Sequence, residues 1–376
     1  MERVVILGAG FGGLELATRL SETVPDLVEV TLIDQSDSFV FGYSKLDVMF
    51  GRETPEAVRL YYRDIAKPSV DFRQETIQSI DPVAKRVVTE RATYDADILV
   101  VALGADLAPE VTPGVVADGN EFYTVAGAER VRDVIPTFAS GDAIIGVLGG
   151  FYKCPAAPYE AAMMLHDALV QRGVRDATTI KVITPMPKPV PISEEASAGI
   201  RAGLTERGIE FWPNARVTGL DPATKLATLT DGRAVNYDLF LAIPVHKAPA
   251  VVEASGMTED GWIPVDHTTF ATKFPDVYAV GDVTSAPVPR VGVIAEGEAG
   301  TAADVIIHRL QRGDAPPPYP GIATCYIEFG GAEVAKFDVN FLGGPSPFGV
   351  FNEPSLELAA SKKEFGATRR QRWFGQ

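Results

Sequence analysis

Arg3-Val4-Val5-Ile6-Leu7-Gly8-Ala9-Gly10-Phe11-Gly12-Gly13-Leu14-Glu15-Leu16-Ala17-Thr18-Arg19-Leu20 runs from an apolar strand, through a glycine turn, into a segment of helical periodicity. Gly8 permits the tight turn, and Gly10, with Gly12 beside it, lets a pyrophosphate come against the backbone. Gly13 lets helix and strand pack closely, and the helix N-terminus faces the anion. Alone the motif is weak, but the next apolar strand, from Val28 to Ile33, ends in Asp34. A carboxylate about 20 residues beyond the turn accepts the ribose hydroxyls of a dinucleotide.

Two later segments say which dinucleotide. Tyr94-Asp95-Ala96-Asp97-Ile98-Leu99-Val100-Val101-Ala102-Leu103-Gly104-Ala105 resembles the strand-and-glycine crossover that leaves the FAD domain in two-dinucleotide flavoproteins. Phe274-Pro275-Asp276-Val277-Tyr278-Ala279-Val280-Gly281-Asp282-Val283 resembles their C-terminal FAD motif, in which the aspartate, here Asp282, bonds the ribityl chain. Three motifs in this order imply FAD. Pro289-Arg290-Val291-Gly292 then precedes a helical run from Val293 to Leu310, whose N-terminus suits the electron-rich edge of a reduced flavin, and Arg290 adds a positive charge there.

At 376 residues the chain predicts two or three domains. Its net charge of −16 repels phosphate backbones, which argues against nucleic acid as a partner. Met1-Glu2-Arg3 leads straight into a strand, so no secretory signal is read and the chain is expected in the cytoplasm. No apolar run is long enough to span a bilayer. With two cysteines, neither a disulfide framework nor a zinc site is available, and no metal is expected.

Between the two FAD segments, residues 111–245 hold the frame of a second Rossmann-like unit. Ala143 to Leu148 reads as its first strand, Tyr159 to Arg172 as its helix, and Ile180 to Thr184 as its second strand. That strand ends in Pro185-Met186-Pro187-Lys188-Pro189, with no acid for a ribose and no arginines for a 2′-phosphate. In the loop, Pro155 and Pro158 remove N–H groups, while Phe151, Tyr152 and Lys153 fill the space of a pyrophosphate. The unit is expected to be a degenerate NAD-like domain that has lost nicotinamide binding.

Lys153-Cys154-Pro155-Ala156-Ala157-Pro158-Tyr159-Glu160, with a lone downstream cysteine in Ala323-Thr324-Cys325-Tyr326-Ile327-Glu328-Phe329, resembles the sulfide:quinone oxidoreductase and flavocytochrome c sulfide dehydrogenase family over essentially the whole chain. The resemblance implies that Cys154 and Cys325 meet on one face of the flavin and cycle between a bridge and free thiolates. A bridge there is opened by hydrosulfide, leaving a persulfide on one cysteine and a thiolate on the other, with two electrons passing to the flavin. The substrate would be sulfide or a small sulfur nucleophile and the electron acceptor a quinone.

Glu160, at the start of the helix after the loop, either relays a proton or stabilises the helix N-terminus. His246 follows the strand that returns to the FAD domain and is a further candidate; His166 and His308 read as packing or surface residues. Phe41-Gly42-Tyr43-Ser44-Lys45 lacks the cysteine that tethers FAD in some family members, so the FAD is expected to be non-covalent. Two other readings stay open: an FAD-dependent NAD(P)H dehydrogenase or disulfide-type reductase, and a flavin-binding electron-transfer subunit that needs a partner protein.

The C-terminal part begins with the stiff Pro316-Pro317-Pro318-Tyr319-Pro320 and continues as a hairpin, Cys325 to Phe329 and Glu333 to Val339, around Gly330-Gly331. Phe329, Phe337, Phe341 and Phe348 are its quinone-pocket candidates. The basic and aromatic stretch from Lys362 to Phe374 suits a lipid headgroup surface at the inner face of the membrane, a solvated tail, or a contact in a homo-oligomer. The expected architecture is therefore α/β, with an FAD domain (1–110 and 246–315), an inserted degenerate NAD-like domain (111–245) and a small C-terminal domain (316–376).

Overall fold

A computed structural model of the chain describes residues 1–67, 69–313 and 316–376. The domain boundary expected at residue 315 lies outside the described residues.

The strand Glu2–Leu7 sits in the middle of a five-stranded parallel sheet whose order is Val277–Ala279, Ile98–Val101, Glu2–Leu7, Val28–Asp34, Val70–Gln74. Its central strands are continuous Val, Ile and Leu because helices or loops cover both faces, as parallel strands require. Gly8 leaves the strand at φ +95°, and a Cβ on Gly13 would stand 1.9 Å from the Gly8 carbonyl oxygen. The helix Phe11–Thr23 therefore closes on the strand only with glycine at that position.

A second parallel sheet, ordered Ile209–Trp212, Thr178–Ile183, Gly141–Val147, Leu239–Ile243, repeats the plan inside the insert. The helix Ala157–Gln171 follows its central strand after the cysteine loop. The two crossings between the sheets pair with each other, Asp106–Ala108 antiparallel to Val245–Lys247, and the boundaries expected near 110 and 245 fall on or beside this ribbon. The molecule is thus α/β with two Rossmann-like units, as the glycine turns predict.

The hairpin expected after the proline run forms as Ile322–Gly330 and Glu333–Asn340, and a third strand that the sequence did not disclose, Phe348–Ser355, completes an antiparallel sheet. Alternation sets its faces. Ala323, Ile327 and Phe329 enter the core of the inserted unit, which leaves Thr324, Tyr326 and Glu328 on the other side, beneath the final helix, Leu356–Phe374.

That helix corrects the reading of the tail. Trp373 is wholly buried and Phe374 nearly so. Trp373 lies edge-on to Phe11 and Phe39, at ring-centroid distances of 5.6 Å each. Arg372 pairs with Glu15 (2.8 Å) and Glu22 (3.2 Å), and Arg369 with Glu296 (2.8 Å). Arg369, Arg372 and the two terminal rings are thus engaged inside the molecule, the arginines against acidic groups of its own FAD-side helices, while Lys363 stays exposed. No helix among the described residues is long and apolar enough to cross a membrane.

Candidate functional site

One cavity of about 600 Å³ runs from the first glycine turn to the cysteines. Of the residues singled out in the sequence, Gly8, Gly10, Gly12, Asp34, Gly104, Gly281, Asp282, Arg290, Cys154, Cys325 and Glu160 line it. Gly13 and His246 do not.

The dinucleotide end fits FAD. Nothing lies within 4 Å of where a Cβ on Gly10 would be, so the backbone there is open to a pyrophosphate. No side chain caps the helix Phe11–Thr23 and no acid stands in its first turn, which leaves its N–H groups to an anion. Asp34 accepts the Ala9 and Ser36 N–H groups at 2.8 Å each, fixing its carboxylate at the rim with lone pairs to spare for ribose hydroxyls. At the middle of the cavity burial raises the Asp282 carboxyl above its usual range, opposed by Lys153, Arg290 and Lys45.

Arg290 is not a solvated loop residue. Its Nε donates to the Asp282 carbonyl (3.0 Å), and its guanidinium lies 3.7 Å from the centre of the Trp262 ring. Its own carbonyl accepts the Cys154 N–H at 2.8 Å. Arg290 therefore ties the second FAD segment to the cysteine loop.

That loop is over-determined, which suits the left-handed backbone of Cys154, at φ +54°. Besides the bond to Arg290, Ala157 N–H donates to the Cys154 carbonyl (2.9 Å), and Tyr123 Oη donates to the Lys153 carbonyl (2.9 Å). Lys153 Nζ, expected to fill pyrophosphate space, instead reaches across to the Ala105 carbonyl at 2.8 Å. Pro158 opens the following helix, where a missing N–H costs nothing.

Cys154 and Cys325 are free thiols on the wall of this cavity. Burial, and then the nearby Glu160, push the Cys325 thiol up to about 12 and the Cys154 thiol higher still. Glu160, nearly inaccessible to solvent, accepts the Glu328 N–H at 3.0 Å, which joins the inserted unit to the cysteine strand. Burial raises its carboxyl to about 7, against the pull of Lys362 and the Glu328 bond. A carboxyl poised there, near enough to act on both thiols, can take up and release protons near neutral pH.

His246 stands behind Tyr123, their rings edge to face at 5.4 Å, with Nδ1 bonded to the Pro244 carbonyl (2.9 Å). Burial, and then Lys153, hold it far below the usual histidine range, at about 3, so the ring is neutral. Its place is in the packing behind the loop, because the strand Val245–Lys247 turns it away from the cavity.

The phenylalanines proposed for the acceptor are also elsewhere. Phe329 and Phe337 are core, Phe341 packs against that core, and Phe348 is exposed. The rings that do line the cavity include Tyr43, Tyr326 and Phe365, and with them stand two lysines the sequence reading passed over, Lys45 and Lys362. Lys362 Nζ donates to Glu328 at 2.6 Å, and Arg52 holds the same carboxylate at 3.2 Å. Burial pushes the Glu328 carboxyl up, but these two cations outweigh it and keep the carboxyl below its usual range. Lys45 lies in the loop where a tethering cysteine would stand, which is its only mark in the sequence; Lys362 has none, since only folding brings the last helix here.

The model of the pyridine nucleotide-disulphide oxidoreductase family matches residues 2–299. A sulfide-quinone reductase of Aquifex aeolicus is 26% identical over 361 residues, covering 88% of this chain and 81% of that relative. The solved structure of the sulfide:quinone oxidoreductase from Aquifex aeolicus superposes with a TM-score of 0.89 at 22% identity, covering all of this chain and 93% of the other, a likeness of fold. A type II NADH:quinone oxidoreductase of Staphylococcus aureus is 35% identical over 225 residues, covering 56% of each chain.

Proposed function

This chain belongs to the pyridine nucleotide-disulphide oxidoreductase family and is an FAD-dependent oxidoreductase, and on that premise we propose that it oxidises sulfide, or a related sulfur nucleophile, through Cys154 and Cys325 and delivers the electrons to a quinone. The observation that carries the reading is the arrangement of two free thiols and Glu160 on the wall of the cavity that fits FAD. Relatives that match most of the chain and bear the sulfide and quinone names support the choice of substrates.

Bound there, FAD supplies a two-electron acceptor, held without a covalent tether. The chain's residues do the remainder. When the two cysteines are bridged, a hydrosulfide sulfur attacks one of them and the bridge breaks. One cysteine then holds a persulfide and the other a thiolate. Glu160 takes up the proton released from the sulfur nucleophile and passes it on, as its raised carboxyl allows. Tyr43, Tyr326, Phe365 and Lys362 offer a planar acceptor an aromatic wall with one cation.

The competing reading is an NADH dehydrogenase, and here the cysteine loop argues against it. Phe151 projects from the second glycine turn and Lys153 spans it. The strand Thr178–Ile183 is followed by Thr184, whose hydroxyl is bonded to the Met186 N–H, rather than by a ribose-binding acid.

Anaerobic mixing of the FAD-loaded protein with sulfide, and separately with NADH, separates the two by flavin absorbance. Sulfide is expected to bleach the flavin and NADH to leave it oxidised; rapid bleaching by NADH alone would sink the proposal. Cys325→Ser should abolish sulfide-driven bleaching while FAD stays bound. A fully active variant would remove the cysteine mechanism.

A further inference from the structure

Burial, the Glu160 carboxylate and the partner sulfur of Cys325 all disfavour a thiolate on Cys154. A working redox pair needs that thiolate, because the anion is the form that reacts. Two cations act in its favour, Lys362 and Lys45. Their situations differ. Lys362, the stronger of the two, is already held by Glu328 at 2.6 Å. The Lys45 ammonium makes no hydrogen bond or ion pair among the described residues.

Lys45 lies on the short helix Ser44–Met49, directly after the aromatic loop whose Phe41 and Tyr43 rings stack at 5.3 Å. It lines the cavity together with Asp282 and Cys154, and both act on its charge. The groups facing it are Lys153, which opposes its charge, and Glu121, Cys154 and Asp282, which favour it. Lys153 is spoken for by the Ala105 carbonyl, and Glu121 by the N–H groups of Tyr123 and Thr124 at 2.8 and 3.1 Å. Asp282 stands where the ribityl chain of FAD is held. Lys45 is thus the uncommitted cation between the cofactor's polar middle and the redox sulfur.

We propose that Lys45 is the positioning charge of this site: its ammonium holds the Cys154 thiolate, and the negative charge that two-electron reduction brings into the cofactor pocket, at the same spot. Burial, and then Lys153, pull the ammonium down to about 8, so its charge begins to weaken just above neutral pH. The thiolate it supports should then become harder to form in mildly alkaline solution than a free cysteine would suggest. This deepens the sulfide reading and rests on it.

The chain has two cysteines, so Cys325→Ser leaves Cys154 as its single thiol. In that FAD-loaded background, the rate of alkylation by iodoacetamide is followed from pH 6 to 10 with Lys45, with Lys45→Met and with Lys45→Arg. A neighbouring cation is worth about one unit or more of thiol acidity, so Lys45→Met should slow alkylation by about tenfold at pH 7, where the ammonium is charged, and should remove the weakening of that advantage that the native chain shows as pH rises past 8. Lys45→Arg should restore both, and the flavin midpoint potential should fall in the methionine variant and recover in the arginine one. Lys45→Gln replaces Lys45→Met where methionine costs the protein its FAD. An unchanged alkylation profile and potential in an FAD-loaded neutral variant would overturn the inference. So would a shift that arginine fails to reverse, which would mark Lys45 as a packing residue. Neither readout uses sulfide, so a failure here is distinguishable from a failure of sulfide as the substrate.

Discussion

At the scale of single residues, the site is built from ionisable groups whose burial sets them against their ordinary behaviour. Glu298 is the clearest case away from the sulfurs. It is nearly inaccessible, on the helix Gly292–Gln311, and accepts the Gly281 N–H at 2.6 Å. Burial raises its carboxyl from 4.5 to about 8, with the Gly281 bond and Arg290 pulling down and Asp282 pushing up. A carboxyl raised on folding contributes stability below its unfolded value and loses it as pH climbs through the folded one. The FAD-free protein should therefore lose stability between pH 4.5 and 8, by a few kcal/mol at roughly 1.4 kcal/mol per unit. Glu298→Gln keeps an acceptor for Gly281 and removes the titration. In urea titrations the variant should exceed the native chain by about 2–4 kcal/mol at pH 9 and match it at acid pH. Gly281 and Asp282 were legible from their motif. Glu298 was not, since a glutamate in a helical run gives no sign of which way it faces.

At the scale of elements, the glycine turns and the cysteine loop declared themselves, and the last helix did not. Leu356–Phe374 has charged residues around most of its circumference, so periodicity found no face to bury. Its burial comes from partners distant in sequence: Glu15 takes both Arg372 and the Trp373 indole N–H, at 2.8 and 3.1 Å. Phe11, inside the first glycine turn, rests on the Trp373 ring. The helix thereby braces the first glycine turn. Trp373→Ala should cost about 3–5 kcal/mol, the range for emptying a large aromatic site, as read by urea denaturation. It should also release FAD more readily on dilution, read by flavin fluorescence. A loss of stability with FAD retention unchanged would mean the helix only packs there.

At the scale of the molecule, the Glu328 carboxylate draws together two other, distant stretches of chain. Arg52 from beyond the short helix Ser44–Met49, Glu328 from the cysteine strand and Lys362 from the last helix form one ion cluster, and Glu160 of the inserted unit joins it through the Glu328 N–H. Glu328→Ala leaves Lys362, which is 7% exposed, without its hydrogen-bonded carboxylate. The expected loss is about 3–5 kcal/mol in denaturant titrations, with Glu328→Gln costing less because it still accepts a bond from Lys362. The two Rossmann-like units, the FAD motifs and the proline-bearing cysteine loop can be read along the chain, because each rests on local chemistry. A turn needs glycine, a helix N-terminus needs free N–H groups, and a proline in the loop removes one of them. The tertiary structure alone decided which groups share the cavity. It brought in Lys45 and Lys362, set His246 and the four phenylalanines apart from it, and turned Arg369, Arg372 and the two terminal aromatic rings inward. Those outcomes depend on burial and on charges meeting across hundreds of residues, and such pairings have no period or spacing along the chain to be read.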